Sequence, residues 1–567
     1  MKDLTKKIVA GALLAATTVA SVACGGTDPN KNKATLYVYS FTSGFQTEWL
    51  TSLIADYEEV MKDVEIDGKV GLHIEPTTLK SDVTGSQMAG RDEVIYFLEQ
   101  QDYYELLAGN YLADITEAVT GANPYDADGV TLESKMFEDQ KSYLGRKAAD
   151  GSTRYYAYPH YFTNFGIVYD IDLFDSKGYY FADGYKTTDA LENIFVGKED
   201  WAKSAGPDGE KGTSDDGLPT TYEEFLLLCD YINNVGNDNP LIWTGQYHEG
   251  YLTHFINALA ADYEGYDQMR LNFTFDGEAK NLGKIVNGEF VKDETTTVID
   301  GTNGAELARQ AGKYYAIDFY SDIYHKSYIN AATTKDTNVD TNLTLYSSSY
   351  SHIKAQEDFL KRSTRRNAML LEGSWWMTEA TPTFDTMTKM NAAYSKQNRK
   401  LGWMPLPKQS AELVGTETTL YDVMYPLLMM KNGLDQNSWQ YKYALDFIQF
   451  ANSDAQLAKF TKITNCTKAL NYRLSPDDYN ELTPYGKTFY DSYVSSKIVF
   501  PYANNLLFAN NQNIFKEMGD DNGSPLYRSK TYPTYPTKAV EKGVSAESYF
   551  SGIYEYFNEL AIWKKVN

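Results

Sequence analysis

The stretch Gly206-Pro207-Asp208-Gly209-Glu210-Lys211-Gly212-Thr213-Ser214-Asp215-Asp216-Gly217 spaces carboxylates with glycines. Such a loop can wrap oxygens around Ca2+, a hard cation that takes about six to eight oxygen ligands. Asp208, Asp215 and Asp216 are the candidate ligands for a structural ion; the plain alternative is a solvated acidic turn. The spacing and closing Glu of an EF-hand are missing. Other reactive patterns are scarce. The chain has no HExxH, no CxxC and 6 histidines, which argues against zinc. Neither a phosphate loop nor a Ser-His-Asp pattern is present. Carboxylates are plentiful, but none sits in a recognisable catalytic motif. The expectation is therefore binding without turnover, with no catalytic residue and no required cofactor. A secreted glycosidase, which needs two carboxylates flanking the scissile bond, is the enzymatic alternative.

The aromatic load is the other chemical signal: 47 Tyr, 26 Phe and 8 Trp in 567 residues. Tyr and Trp combine an apolar body with a polar tip, which suits the C–H faces and hydroxyls of sugar rings. A formal net charge of −25 argues against nucleic acid or anionic lipid as partner, because polyanions need a basic footprint. Cys229 and Cys466 lie in apolar patterns and read as buried thiols, with one long-range disulfide as the alternative.

The elements that must position these side chains begin after a leader. Lys2, Lys6 and Lys7 precede an uncharged run from Ile8 to Ala23, a secretory signal over residues 1–23. The run is shorter than the roughly 20 apolar residues a membrane span needs. Ser21-Val22-Ala23-Cys24 resembles a bacterial lipobox, which implies lipidation at Cys24 and a tether over 24–34. No other segment looks membrane-spanning, so the expected location is the outer face of a bacterial cell membrane, held only by the lipid.

Thr35 to Phe41 reads as a strand. A helix carrying Trp49, Leu50, Leu53, Ile54, Tyr57, Val60 and Met61 follows, with Ser43 and Gln46 as a capping box. Val70 to Ile74 and Val94 to Phe97 are further strands. Strands alternating with helices predict an α/β lobe whose sheet is mostly parallel, with ligands at the carboxyl ends of its strands. Thr220 and Glu223 are expected to cap a helix. Leu241 to Thr244, Ala368 to Leu371, Leu401 to Met404 and Met424 to Met430 read as strands. Helices are predicted over about 303–325 and from Ala444 to Phe460. The polar spans 183–217, 265–300 and 333–350 read as loops or insertions.

Several blocks, in this order, resemble the solute-binding lipoproteins of carbohydrate ABC importers, the family that includes maltose-binding protein. They are Ala113-Asp114-Ile115-Thr116, Tyr158-Pro159 with Ile167 to Phe174, and Leu218-Pro219-Thr220-Thr221-Tyr222-Glu223-Glu224-Phe225. Ala368-Met369 through Gly373-Ser374-Trp375, and Leu401 to Pro407, complete the set. Asp170 and Ile171 replace the usual Asn and Lys, and Tyr222 replaces Trp. The resemblance covers nearly the whole mature chain. It implies two α/β lobes, each a mostly parallel sheet flanked by helices, with a ligand cleft between them. The expected N-terminal lobe is 35–158 with about 404–450. The expected C-terminal lobe is 159–403 with about 451–567, insertions included.

What the resemblance implies for the site is specific. Trp375 stands at the family tryptophan that stacks on a sugar ring, with Trp376 beside it as the core-facing neighbour if both lie on a strand. Thr163 and Asn164 fall where members place a polar sugar contact. Gln246, Tyr247 and Tyr251 follow the Leu241–Thr244 strand, and Phe41 and Glu48 flank the first helix. Trp403 is either a ligand contact or hinge packing, and Tyr421 and Asp422 precede the return strand. The implied partners are an oligosaccharide ligand and the permease subunits of an ABC transporter, with the chain a monomer. A surface glycan-binding protein not coupled to transport is the remaining alternative.

Overall fold

The computed structural model describes residues 30–99, 103–197, 201–325, 348–362, 365–501, 528–533, 535–560 and 563. The leader and Cys24 lie outside the described residues. The strands that matter for the site are β1 (Ala34–Phe41), β2 (Leu72–Leu79), β3 (Ile95–Leu98), β4 (Ala157–Pro159), β5 (Phe165–Asp170), β6 (Asn239–Ile242), β7 (Asn367–Gly373), β8 (Leu401–Met404), β9 (Thr419–Tyr421), β10 (Leu427–Met430) and β11 (Lys497–Val499). The helices used below are α1 (Glu48–Met61), α2 (Tyr222–Asn234), α3 (His248–Met269), α4 (Ala311–His325), α5 (His352–Leu360), α6 (Trp376–Glu379), α7 (Trp439–Ala451), α8 (Asp454–Thr464) and α9 (Pro484–Ser495).

Two sheets organise the chain. The first has the order β2-β1-β3-β10-β4, and the second β6-β7-β5-β8. Both are sequestered among helices. Leu36, Val38, Ile74, Ile95 and Leu428 are fully buried in one, and Ile167, Val168, Met369, Leu401 and Met404 in the other. The α/β architecture is as expected, but the strand directions are mixed. β1 runs parallel to β2 and β3, while β10 is antiparallel to β3 and to β4. In the second sheet only β6 and β7 are parallel; β5 is antiparallel to β7 and β8. The physical reason lies in the connections. β4 to β5 and β8 to β10 pass from one sheet to the other, so these strands do not enter through the crossover helix that makes neighbours parallel.

Local chemistry sets the helix boundaries. Thr221, not Thr220, is the N-cap of α2: its side chain accepts the Glu224 amide at 3.2 Å. Glu224 reaches back to the Thr220 amide at 2.6 Å, so the cap falls one residue later than expected. The expected box before α1 is replaced by a turn. Ser43 Oγ accepts the Phe45 amide at 3.2 Å, and Gln46 adopts φ 54°. The single helix expected over 444–460 is two helices. Asn452 Nδ2 and Ser453 Oγ donate to the Ile448 and Phe450 carbonyls, which ends α7, and α8 starts at Asp454. α8 lies in the span that the sequence reading gives to the C-terminal lobe, yet it packs on α1, with Phe460 5.8 Å from Trp49. The helix expected over 303–325 begins as a 3-10 turn, Gly304–Arg309, and turns α-helical only at Ala311. The polar span 265–300 contains two antiparallel ribbons, Gly277–Ala279 with Thr297–Ile299 and Leu282–Val286 with Glu289–Asp293. Its inner turn is Asn287-Gly288, both at positive φ, the backbone that a two-residue hairpin demands.

Cys229 and Cys466 are buried and are not disulfide-bonded to each other. Among the described residues no helix is long and apolar enough to cross a membrane.

Candidate functional site: an aromatic and acidic cleft between the sheets

The carboxyl ends of β1, β3, β6 and β7 supply the turns that meet between the two sheets. β7 ends at Gly373, and the chain turns at once into α6, with Trp375 as its N-cap residue. The Trp375 ring lies over two glycines. A methyl group on Gly373 would come within 2.5 Å of its Cη2, and one on Gly44, in the turn after β1, within 2.1 Å of its Cδ1. Glycine is required at both places by the close approach of the indole. Trp375 thus touches the first sheet's turn while belonging to the second sheet's strand.

Other rings complete a cluster. Phe165, the first residue of β5, meets Trp375 edge-on at 5.3 Å, and Tyr251 of α3 meets it edge-on at 6.2 Å. Phe165 and Tyr251 are 4.9 Å apart. Tyr247 stacks on Tyr251 at 5.7 Å and is 43% exposed, so the cluster opens to solvent on that side. Trp376 points elsewhere. It is fully buried against Phe359, Phe384 and Tyr485. The two tryptophans are not on a strand. They sit at a helix start, where successive side chains diverge by about 100°.

Three carboxylates stand near the carboxyl ends of β7 and β3. Glu372 on β7 is fully buried; its Oε1 accepts the Gly373 amide at 3.0 Å, and Oε2 has no partner among the described residues. Burial, then the neighbouring Glu379, pushes its pKa well above the carboxylate range. Glu379 on α6 accepts from Gln356 Nε2 at 2.9 Å and lies 3.7 Å from His352 Nε2. Glu99, just past β3, accepts the Tyr161 hydroxyl at 2.8 Å, and burial raises its pKa to about 7. Burial raises the pKa of the Tyr251 hydroxyl, and the charges of Glu372, Glu379 and Glu99 add to that shift.

Of the residues singled out in the sequence, the structure brings Trp375, Tyr247 and Tyr251 together, with Gln246 exposed beside them and donating to the Tyr247 hydroxyl at 3.2 Å. Asn164 lies alongside. Its backbone exchanges hydrogen bonds with Ser374, and both side-chain amide atoms are buried without a partner among the described residues. Thr163 and Asp422 form a separate pair where the chain crosses between sheets. The Thr163 amide and hydroxyl donate to Asp422 Oδ1 at 3.1 and 2.6 Å, and Thr163 Oγ1 accepts the Met424 amide. Burial raises the Asp422 pKa to about 7. Tyr421 stacks on Phe273 at 6.2 Å. Trp403 packs on Gly166, Tyr485 and Phe489, and borders a different cavity of about 640 Å3 that Asp208 and Asp215 also line. Phe41 is half-buried at the end of β1, and Glu48 is exposed in the first turn of α1.

The sequence reading missed Phe165, Glu99, Glu372 and Glu379. A signal was available for two of them. Glu372 is a charge inside the apolar run 368–373, and Glu99 closes the apolar run 94–98.

In the acidic loop, the carboxylates accept the loop's own donors. Asp215 takes the Asp208 amide at 3.0 Å and the Thr213 hydroxyl at 2.7 Å, and Asp216 takes the Gly212 amide at 2.8 Å. Among the described residues no group of three or more His, Cys, Asp or Glu is placed to hold a metal ion.

No family model and no curated protein matches the chain. Solved structures do. A chitin oligosaccharide binding protein aligns over 93% of this chain and 99% of its own, at TM-score 0.52 and 14% identity. A cyclic α-maltosyl-1,6-maltose binding protein from Arthrobacter globiformis (94% and 100% covered, TM-score 0.49, 11% identity) and the apo form of RafE from Streptococcus pneumoniae (94% and 100%, 0.49, 12%) also align. The first likeness establishes architecture: this chain shares the two-lobed α/β fold of that structure.

Proposed function

We propose that this protein is a lipid-anchored extracellular solute-binding protein that captures an oligosaccharide and delivers it to an ABC importer. The observation that carries the reading is the Trp375 ring, set against Gly373 of one sheet and Gly44 in the turn after β1 of the other, with Phe165 and Tyr251 at its edges. An aromatic ring at the junction of two lobes, 6% exposed as folded and uncovered when the lobes part, suits a sugar ring: the C–H face stacks and the hydroxyls find polar partners. Closure of the lobes on ligand would give a permease its signal, because a ligand shifts such an equilibrium by its preference for one state. The fold shared with oligosaccharide-binding proteins supports the same reading.

The lobe boundaries stay a proposal: 35–158 with about 404–450, against 159–403 with about 451–567. Helix α8 belongs to the second lobe in this division, although it packs on α1 of the first. The anchor at Cys24, the monomeric state, the permease partner and a non-enzymatic role belong to the same proposal. Calcium held by Asp208, Asp215 and Asp216 is part of the same proposal. The test is calorimetry of the purified protein against a panel of oligosaccharides. Binding at micromolar Kd, about −8 kcal/mol, with no release of shortened sugar, is the expected result. Steady hydrolysis, or no binding across the panel, would overturn it.

A further inference from the structure

A groove with a volume of about 790 Å3 lies outside the site described above. One wall is α7, where Trp439, Tyr443 and Asp446 share a face at helical spacing. The short helix Thr116–Thr120 and the turn after it form the other wall. The hairpin of Glu65–Ile66 with Lys69–Val70 adds Ile66 and Asp67. That hairpin leads into the amino end of β2. Helix α7 follows β10, whose last residue, Met430, pairs with Ile95 at the amino end of β3. The groove thus starts from the amino ends of these strands, whereas the Trp375 cleft lies at carboxyl ends. Its lining falls within 35–158 and 404–450, the proposed first lobe, so occupancy does not need the lobes to close.

The polar groups of the groove are held from behind. The hydroxyls of Tyr57 and Tyr125 donate to Asp446 Oδ2 at 2.6 and 2.7 Å, which fixes the carboxylate and leaves Oδ1 to accept from a ligand. Gln449 Nε2 donates to the Ala118 and Ala122 carbonyls at 3.3 and 3.5 Å, so Oε1 remains an acceptor. The Tyr441 hydroxyl donates to the Asp114 carbonyl at 2.8 Å. Trp439 and Tyr443 are half-buried, rooted in the helix surface yet presenting ring area to the groove. Acceptors and rings already fixed in place lower the ordering cost of binding. Together they match the C–H faces and hydroxyls of sugar rings, and the volume suits a small ligand.

Charge narrows the class. Glu65, Asp67, Glu117 and Asp446 line the groove against a single base among the described residues, Lys442, whose Nζ lies 5.3 Å from the centre of the Tyr443 ring. An acidic glycan would meet like charge, while neutral hydroxyls meet acceptors. Lys442 already occupies the ring that a basic peptide would seek, which favours a neutral ligand. Asp67, Ala122, Pro124 and Asn437 at the rim are exposed, so a chain longer than the groove can run out past them.

We propose that this groove is a second carbohydrate site, which holds a segment of a neutral polysaccharide independently of the Trp375 cleft. The experiment is native electrophoresis of the purified protein through gels containing soluble starch, a β-glucan, a galactomannan or, as the acidic probe, polygalacturonate. At least one neutral polymer should retard the protein, and polygalacturonate should not. Trp439→Ala should raise the polymer concentration for half-retardation at least about tenfold, with calorimetric affinity for the cleft oligosaccharide unchanged. Tyr443→Ala serves if Trp439→Ala fails to fold. Trp375→Ala should be retarded like the native protein. Retardation by no neutral polymer, equal retardation of the folded groove variants, or its loss in Trp375→Ala overturns the inference and leaves the cleft reading standing. Retardation by polygalacturonate, or displacement of the polymer by a lysine-rich peptide, overturns it too, the latter making the groove a protein-docking surface. Failure of every oligosaccharide to bind in calorimetry would overturn the cleft reading alone.

Discussion

Asp422 offers a quantitative test of how the crossing between lobes is held. Its side chain is fully buried, and Oδ1 accepts both the amide and the hydroxyl of Thr163. Burial raises its pKa from an ordinary 3.8 to about 7, outweighing the hydrogen bonds from Thr163, Tyr425 and Met424 that lower it. Between those two pH values the native state holds a proton that the unfolded chain releases. Stability contributed by the protonated acid is therefore fully present below about pH 4 and is lost as pH rises toward 7. A gap of about three pH units at about 1.4 kcal/mol each gives roughly 4 kcal/mol. Asp422→Asn keeps the acceptor for Thr163 and removes the titration. Urea unfolding of both proteins from pH 4 to pH 8 gives the comparison. Other buried acids, such as Glu264, titrate in the same window, so the quantity that matters is the difference between the two curves. That difference should favour the variant progressively as pH rises. Parallel curves would show that the Asp422 carboxyl is charged and stabilised in the native state, and the burial argument would fail.

Trp376→Ala should cost about 3–5 kcal/mol of stability, the range for emptying an aromatic site in a core, read by thermal or urea unfolding; a loss under about 1 kcal/mol would contradict its place among Phe359, Phe384 and Tyr485. Cys24→Ala should abolish lipid labelling in cells, and unchanged labelling would remove the anchor from the account. If Asp208, Asp215 and Asp216 bind Ca2+, chelation should lower the Tm, because an ion bound only by the folded state stabilises it. Equal melting curves in chelator and in millimolar Ca2+ would leave the loop held by its own hydrogen bonds.

Much of the frame was legible because alternation and apolar runs report burial directly. The strand from Thr35 to Phe41 and the helix carrying Trp49 to Met61 are present with small changes of boundary. Strand direction was not legible: a strand returning from the other lobe has the same buried composition as one delivered by a crossover helix. The break between α7 and α8 comes from two short polar side chains, Asn452 and Ser453, inside an otherwise continuous apolar pattern. The hairpins in 277–299 were hidden by their polar faces, although Asn287-Gly288 is a strong turn signal. In the site, Trp375 could be singled out because its type and position are distinctive. Glu372 and Glu99 were harder, since a lone carboxylate gains meaning only when its neighbours are known to be other carboxylates and aromatic rings. Thr163 and Asp422 were singled out separately as candidate ligand contacts, and the structure places them on each other.

The central claim is that the space between the two sheets, floored by Trp375, is where the ligand sits. Trp375→Ala should weaken binding of whichever oligosaccharide the calorimetric panel identifies by at least tenfold, about 1.4 kcal/mol, in a protein that remains folded. Unchanged affinity in the folded variant would contradict the claim and move the site elsewhere on the molecule.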